Sequence, residues 1–295
     1  MAEPAVQRGS RPLAAVAFMC AAMALFCSMD ALAKVLVREL PPLVAVWGRY
    51  GGALVPLLAL MPFLGWRRFM ATRQPWLQSL RGATLVGCTM MFFTGLQTLP
   101  LADAYAISFV SPLFVAAMAA VVLREHVGAA RWAAVVIGLL GVIVIIRPAG
   151  IFGGAGASYG WAAAYPLGMA FLFAAYQIMT RLLGSTDGPL VILFIGVAAG
   201  TAITSAAVPF VWVPLAPGHY AAFLGLGSIG LAAHWCLIQA FARAEAAHLA
   251  PFIYTQILWA VLLGVVAFGD VPDAPTLIGA AIVTACGIAV ARMKG

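Results

Sequence analysis

The sequence predicts an all-α integral membrane protein of ten transmembrane helices, arranged as two inverted five-helix repeats. Three observations carry that prediction. The 295-residue chain is 64% hydrophobic and 8% charged, with a mean hydropathy of +1.06, where soluble domains average about 45–50% apolar and 25% charged. Its apolar residues fall into ten runs, most of them near the roughly 20 residues that cross a hydrocarbon core of about 30 Å. The second half then repeats the layout of the first.

The runs follow one another in order, separated by short polar or Pro/Gly breaks. The first, 13–37, carries Asp30 and Lys34 on one face, one turn apart. The second, 43–64, follows Pro41-Pro42 and enters on Trp47-Gly48-Arg49-Tyr50. The third covers 79–99. The fourth, 102–123, contains Pro112, which is expected to kink it, and closes on Arg124-Glu125-His126. The fifth, 130–146, carries Gly138 and Gly141. The sixth and seventh, 159–183 and 189–211, are parted by Asp187-Gly188-Pro189, and Gly196-x-x-x-Gly200 in the seventh reads as close helix packing, within the bundle or between protomers of a homodimer. The eighth, 220–241, the ninth, 247–268, and the tenth, 275–291, complete the chain, with Gly269-Asp270 closing the ninth.

Duplication explains the pattern. An offset of 147 carries Leu25-Phe26 onto Leu172-Phe173, Asp30 onto Gln177, Lys34 onto Arg181 and Pro42-Leu43-Val44 onto Pro189-Leu190-Val191. An offset of 145 carries Ser111-Pro112 onto Gln256-Ile257 and Glu125 onto Asp270. The repeats are 13–147 and 159–291. Five spans per copy is an odd number, so the second copy enters from the opposite side. Counting Lys and Arg on alternate sides gives 12 against 3, with Arg49 left inside a span. That bias puts both termini in the cytoplasm of a multi-pass protein of the inner (plasma) membrane.

Composition excludes other classes. The net charge of +7 is spread over short connections, which argues against a nucleic-acid partner. The five cysteines sit inside apolar runs without C-x-x-C spacing, so no metal or cofactor is expected. Gly156-Ala157-Ser158-Tyr159-Gly160 fits a hydrolase G-x-S-x-G pattern but lies in a Gly/Ala connection, and there is no P-loop. The chain is not expected to be an enzyme.

At this point the sequence resembles the EamA type of the drug/metabolite transporter superfamily. The resemblance rests on Lys34 with Pro41-Pro42, Trp47-Gly48-Arg49-Tyr50, Leu96 to Ala102, Ser111-Pro112 with Arg124-Glu125, Gly138 to Gly141, and Gly269-Asp270, over essentially all of 13–291. It implies small-metabolite transport through a central cavity walled by both halves. Within the family the chain looks most similar to bacterial exporters of aromatic and other neutral amino acids. It departs from the family pattern at Asp270, where Glu is usual, and at Ile257, where the first half has Pro112.

Polar and aromatic groups inside spans are the expected site, because burying them is unfavourable unless they are paired or line water. Phe252, Gln256 and Trp259 recur with His248 at helical spacing, beside Tyr254, and Trp235 and Gln239 form a similar stripe on the eighth run. Their repeat mates include Phe109, Ser111 and Thr94, so matching faces favour such groups in both halves. The expected substrate-binding residues are Trp235, Gln239, Tyr254, Gln256, Trp259, Asp30, Tyr176, Gln177, Ser108 and Ser111. Asp30 is open to two readings, an ion pair with Lys34 or a site for a substrate ammonium or coupling proton. Arg49 either pairs within the bundle or receives a carboxylate. His234 and His248 either titrate or pack. Aromatic faces with amides, hydroxyls and little net charge suit a zwitterion, so amino-acid export by alternating access is the expected function. Drug-like cations, nucleotide-derived metabolites and passive permeation are the alternatives.

Overall fold

A computed structural model describes residues 12–65, 69, 71–122, 128–146, 159–183, 186–241, 243–244, 249 and 252–292. The helices are α1 (Pro12–Glu39), α2 (Pro42–Leu64), α3 (Pro75–Leu96), α4 (Leu101–Ser108), α5 (Ser111–Val122), α6 (Ala129–Ile146), α7 (Ala164–Leu183), α8 (Pro189–Ala207), α9 (Pro217–Phe241), α10 (Thr255–Leu263) and α11 (Ala274–Arg292). Among the described residues, five helical stretches are long and apolar enough to cross a membrane by length and composition. The helices of the fourth, fifth, ninth and tenth runs are shorter and apolar. The Arg124-Glu125-His126 corner, His248 and the G-x-S-x-G serine lie outside the described residues.

Local chemistry sets the boundaries. Helices α2, α3, α8 and α9 each begin on proline, whose fixed φ suits the first turn and whose missing N–H would have no intrahelical acceptor there. Inside the spans, hydroxyls bond to carbonyls of their own helix: Ser28 to Ala24, Thr89 to Leu85, Thr94 to Met90, Ser108 to Ala104 and Thr204 to Gly200. Each thereby satisfies its proton where water is scarce.

The fourth span is broken, and so is the ninth. The helix is interrupted at Phe109 (φ −66°, ψ −3°), between α4 and α5, and at Tyr254 (φ −72°, ψ −8°), just before α10. These are repeat mates. The break lies just before Pro112, whose missing N–H leaves the Ser108 carbonyl without its helical donor. The second copy breaks at the same place with Ile257 in the proline's position, so proline suits the break without being required for it.

Packing exchanges partners between halves. Helix α1 lies against α9 and α10, while its mate α7 lies against α3, α4 and α5. Helix α2 packs on α8 and α9, α8 packs on α2 and α3, and α6 pairs with α11. These contacts between first-half and second-half elements thus have counterparts with the halves swapped. The α2–α9 crossing is closest at Gly52 and Gly227, where a Cβ on Gly227 would sit 2.0 Å from the Ala53 nitrogen. Gly196 and Gly200 are likewise used within the chain: Cβ atoms there would strike Arg81 and Tyr50.

The contacts also sort the ends of the bundle. Gln97 with Val37, Glu39 with His219, Tyr159 with Asp103, and Lys34 with Asp270 meet at one end. Thr72 and Gln78 with Asp187, and Met19 with Ala240 and Leu249, meet at the other. Successive spans therefore run in opposite directions.

Candidate functional site

The middle of the bundle holds a polar chain that crosses from one repeat to the other. Gln256 at the start of α10 donates from Nε2 to the Tyr105 hydroxyl at 3.0 Å, and Tyr105 on α4 donates to Asp30 Oδ2 on α1. Asp30 and Tyr105 are buried. A carboxylate without water must be met by donors, and Tyr105 supplies one. Its position follows from the break, because α4 ends at Ser108 and holds Tyr105 in its last turn. Beside this chain run four rings in succession: Phe92 to Tyr105 at 5.2 Å, Tyr105 to Phe109 at 6.2 Å, and Phe109 to Tyr254 at 5.1 Å.

Lys34 is not the partner of Asp30. Its Nζ lies 2.6 Å from Asp270 Oδ2, joining α1 to the turn after α10. The turn is shaped for this: Gly269 takes a left-handed φ of 70°, a helix-ending conformation that costs glycine little, and Asp270 follows it. The Lys34 ammonium also lies 4.7 Å from the centre of the Phe268 ring.

Two arginines also lie within the spans, with contrasting surroundings. Arg81 is 1% exposed and bonds Gln78, the Tyr176 hydroxyl and the Ile192 carbonyl. The sequence count treated it as a connection charge. Removing Arg81 and the buried Lys34 from that count leaves 11 against 2, with the same sign. Arg49 is half-buried and donates Nη1 to Thr89 Oγ1 at 2.6 Å. The rings of Tyr50 and Phe93 lie 5.5 and 6.0 Å from its guanidinium carbon.

The expected site residues fall into groups. Asp30 and Gln256 meet through Tyr105, with Ser108, Ser111 and Tyr254 buried along the same break. Ser108 spends its proton on the Ala104 carbonyl. Tyr176 is half-buried on α7, bonded to Arg81 and stacked on Phe173 at 5.8 Å, and Gln177 follows it. Trp235, 54% exposed, meets Phe18 edge to face at 5.6 Å near the far end of α9. Gln239 there accepts from Arg243 one turn on. Trp259 is 37% exposed. The ring contact of Trp235 and the side-chain bond of Gln239 are thus with Phe18 and Arg243 rather than with the Asp30–Tyr105–Gln256 chain, and Trp259 lies three residues after Gln256 on α10. His234 is tied to the Gly230 carbonyl at 2.8 Å and meets Phe26 edge to face at 4.9 Å. No cluster of three metal-ligating side chains occurs among the described residues.

Tyr105 escaped the sequence reading. Its repeat mate, Ala250, carries no polar atom, so comparing the two copies pointed away from it.

A family model for the EamA-like transporter family matches the chain twice, over residues 13–147 and 158–292. The chain belongs to the EamA-like transporter family. It is a multi-pass membrane protein that moves a small metabolite by secondary transport, and it is not an enzyme. Riboflavin transporters of Vibrio cholerae and Rhizobium johnstonii are 28% and 29% identical to it, the first covering 83% of this chain and 80% of the relative, the second 96% and 92%. An S-adenosylmethionine uptake transporter of Rickettsia prowazekii is 26% identical over 86% of this chain and 84% of its own. A crystal structure shares the fold with a TM-score of 0.64 at 21% identity, covering 94% of this chain and 95% of its own. The resemblance to amino-acid exporters finds no support among these relatives.

Proposed function

We propose that this transporter carries a neutral metabolite built on a planar nitrogen heterocycle, of the flavin or nucleoside type, between the two repeats. The observation that carries the reading is the Asp30–Tyr105–Gln256 chain beside the ring series Phe92, Tyr105, Phe109 and Tyr254. Aromatic rings offer stacking faces to a heterocycle, and an amide offers both donor and acceptor to its edge. The names of the two riboflavin relatives support this class over amino acids. The charges of Asp30 and Arg49 oppose one another, which suits a substrate without net charge. Alternating access follows from the swapped packing, since rocking one repeat against the other exchanges equivalent contacts.

Counterflow in liposomes reconstituted with the purified full chain tests the reading. Exchange of labelled riboflavin, and none of labelled phenylalanine or threonine, is the expected result. Amino-acid exchange without riboflavin exchange would return the amino-acid reading.

Both termini are placed in the cytoplasm by the Lys/Arg bias. In a cysteine-free background, a single cysteine at position 73 should be labelled from the cytoplasmic face only, and one at position 218 from the outer face only. Labelling of both from one side defeats this topology.

A further inference from the structure

Three cations are described inside the bundle, and two of them are held by partners that answer their charge or bond every nitrogen. Lys34 is held by Asp270. Arg81 is held by Gln78, Tyr176 and the Ile192 carbonyl. Arg49 differs. It stands about two turns into α2 and keeps accessible surface, although α1, α3 and α9 all pack against that helix. Among the described residues its guanidinium makes one hydrogen bond, from Nη1 to Thr89, so Nε and Nη2 have no protein partner. An arginine carries five N–H donors in a rigid fork. Leaving most of them unmatched inside a membrane protein is unfavourable unless water or a ligand meets them.

The one bond it makes looks like an anchor. Thr89 sends its own proton to the Leu85 carbonyl at 2.9 Å, so its oxygen is left to accept, from Arg49 and from the Tyr50 hydroxyl at 3.2 Å. That fixes one nitrogen of the guanidinium, and the rings of Tyr50 and Phe93 flank its plane. The free edge is held in place without being consumed. Across from it, Asp30 lies within electrostatic reach, but no ion pair joins the two among the described residues, so the carboxylate does not occupy the fork.

We infer that Arg49 is a substrate-recognising residue whose free guanidinium edge binds the carbonyl-bearing edge of the transported heterocycle. A carbonyl oxygen and an adjacent unprotonated ring nitrogen in one plane match a fork that donates two parallel N–H bonds. With Asp30 nearby, the site carries little net charge, which favours neutral acceptors over phosphate. Lysine could keep the charge but not the fork. The inference rests on the heterocycle reading above and adds which chemical edge is read, and by what.

The test compares riboflavin with its 2-thio and 4-thio analogues, in which sulfur, a poorer acceptor, replaces one carbonyl oxygen of that edge. Concentration dependence of transport is measured in liposomes for the wild type, Arg49→Gln and Arg49→Lys. The wild type should handle at least one thio analogue with a KM roughly tenfold above that of riboflavin. In Arg49→Gln and Arg49→Lys the KM for riboflavin itself should rise by a similar factor, and discrimination between oxygen and sulfur should vanish. A merely structural role would lower the amount of active protein and leave that discrimination intact. If Arg49→Gln does not accumulate as folded protein, Thr89→Val takes its place: loss of the anchor should also erase the discrimination, and undiminished discrimination overturns the proposal. Riboflavin transport with unchanged KM in Arg49→Gln overturns this proposal alone. No riboflavin transport by the wild type overturns the substrate reading, and this proposal with it.

Discussion

The rings of Phe109 and Tyr254 meet edge to face at 5.1 Å in the middle of the bundle, and these two residues are copies of one position, 145 apart in the chain. Their backbones are nearly the same, with φ and ψ of −66° and −3° against −72° and −8°. An axis that exchanges the halves must pass between them. The broken helices therefore touch where that axis passes, and chain breaks are tolerated there because surrounding protein satisfies the freed backbone groups.

That contact sets a first expectation. The Tyr254 hydroxyl is buried without a hydrogen-bond partner among the described residues, and a Cβ on Gly287 would lie 1.5 Å from it. Tyr254→Phe should keep the ring contact and raise stability by up to about 1–2 kcal/mol, since an unmet buried hydroxyl is unfavourable. Thermal unfolding in detergent measures it. A clear loss of stability would mean that the hydroxyl is bonded in the folded protein.

The Lys34–Asp270 pair should matter more than a surface ion pair. Its side chains are only 4% and 27% exposed, and removing one partner leaves the other charge uncompensated in a poorly solvated place. Asp270→Asn or Lys34→Met alone should destabilise by about 3 kcal/mol, and the double change to Met and Leu should recover most of that loss. Unfolding midpoints of the two single variants and the double variant decide it. Equal losses in all three would show that packing at Phe268, rather than charge, is at stake.

Asp187, between α7 and α8, gives a pH dependence. Burial acts to raise its pKa, but hydrogen bonds from Thr72, Gln78, the Arg73 backbone and Thr186 outweigh burial and hold the carboxyl below its ordinary value of 3.8. A carboxyl depressed by folding contributes stability that is present above its unfolded pKa and is lost as pH falls through the folded one. Between neutral pH and about pH 5 the wild type should stay more stable than Asp187→Asn, and the gap should close below about pH 4. A gap that is unchanged at pH 3 would show that the bonds do not depend on the charge.

Ten spans, their order and their duplication were legible because hydropathy and length alone decide which segments cross a membrane. Partners were not. Asp30 and Lys34 share a helix face, so spacing suggested that they pair, yet each reaches a different part of the chain, Tyr105 and Asp270, which sequence distance conceals. Comparison of the copies found Gln256 through Ser111 but passed over Tyr105, since asymmetric residues leave no trace in a repeat. Polar and aromatic stripes on the eighth and ninth runs also put Trp235 and Gln239 in one expected site with Gln256, though the first two stand at the far end of α9 beside Phe18 and Arg243. Spacing reports a face, not what that face meets.

The last expectation concerns the polar chain itself. Gln256 donates to Tyr105 and Tyr105 donates to Asp30, so Tyr105→Phe removes both links while keeping the ring against Phe92 and Phe109. If the chain serves substrate binding, Gln256→Ala and Tyr105→Phe should each weaken transport by about tenfold, since bonds of this kind are worth on the order of 1–3 kcal/mol. Combined, they should weaken it little more than either alone, because neighbours in one network are not additive. Asp30→Asn separates two roles. Should Asp30 carry a coupling proton, that variant should transport with no response to an imposed proton gradient while still binding substrate. Should Asp30 only hold Tyr105, the response to the gradient should survive and KM should rise instead. Trp235→Ala serves as the comparison from outside the chain: 54% exposed and touching Phe18, it should change transport less than Gln256→Ala. Transport rates in liposomes, with substrate binding measured on the same preparations, discriminate these outcomes. Full additivity of Gln256→Ala and Tyr105→Phe would show that the two side chains act separately and that no connected chain joins the repeats.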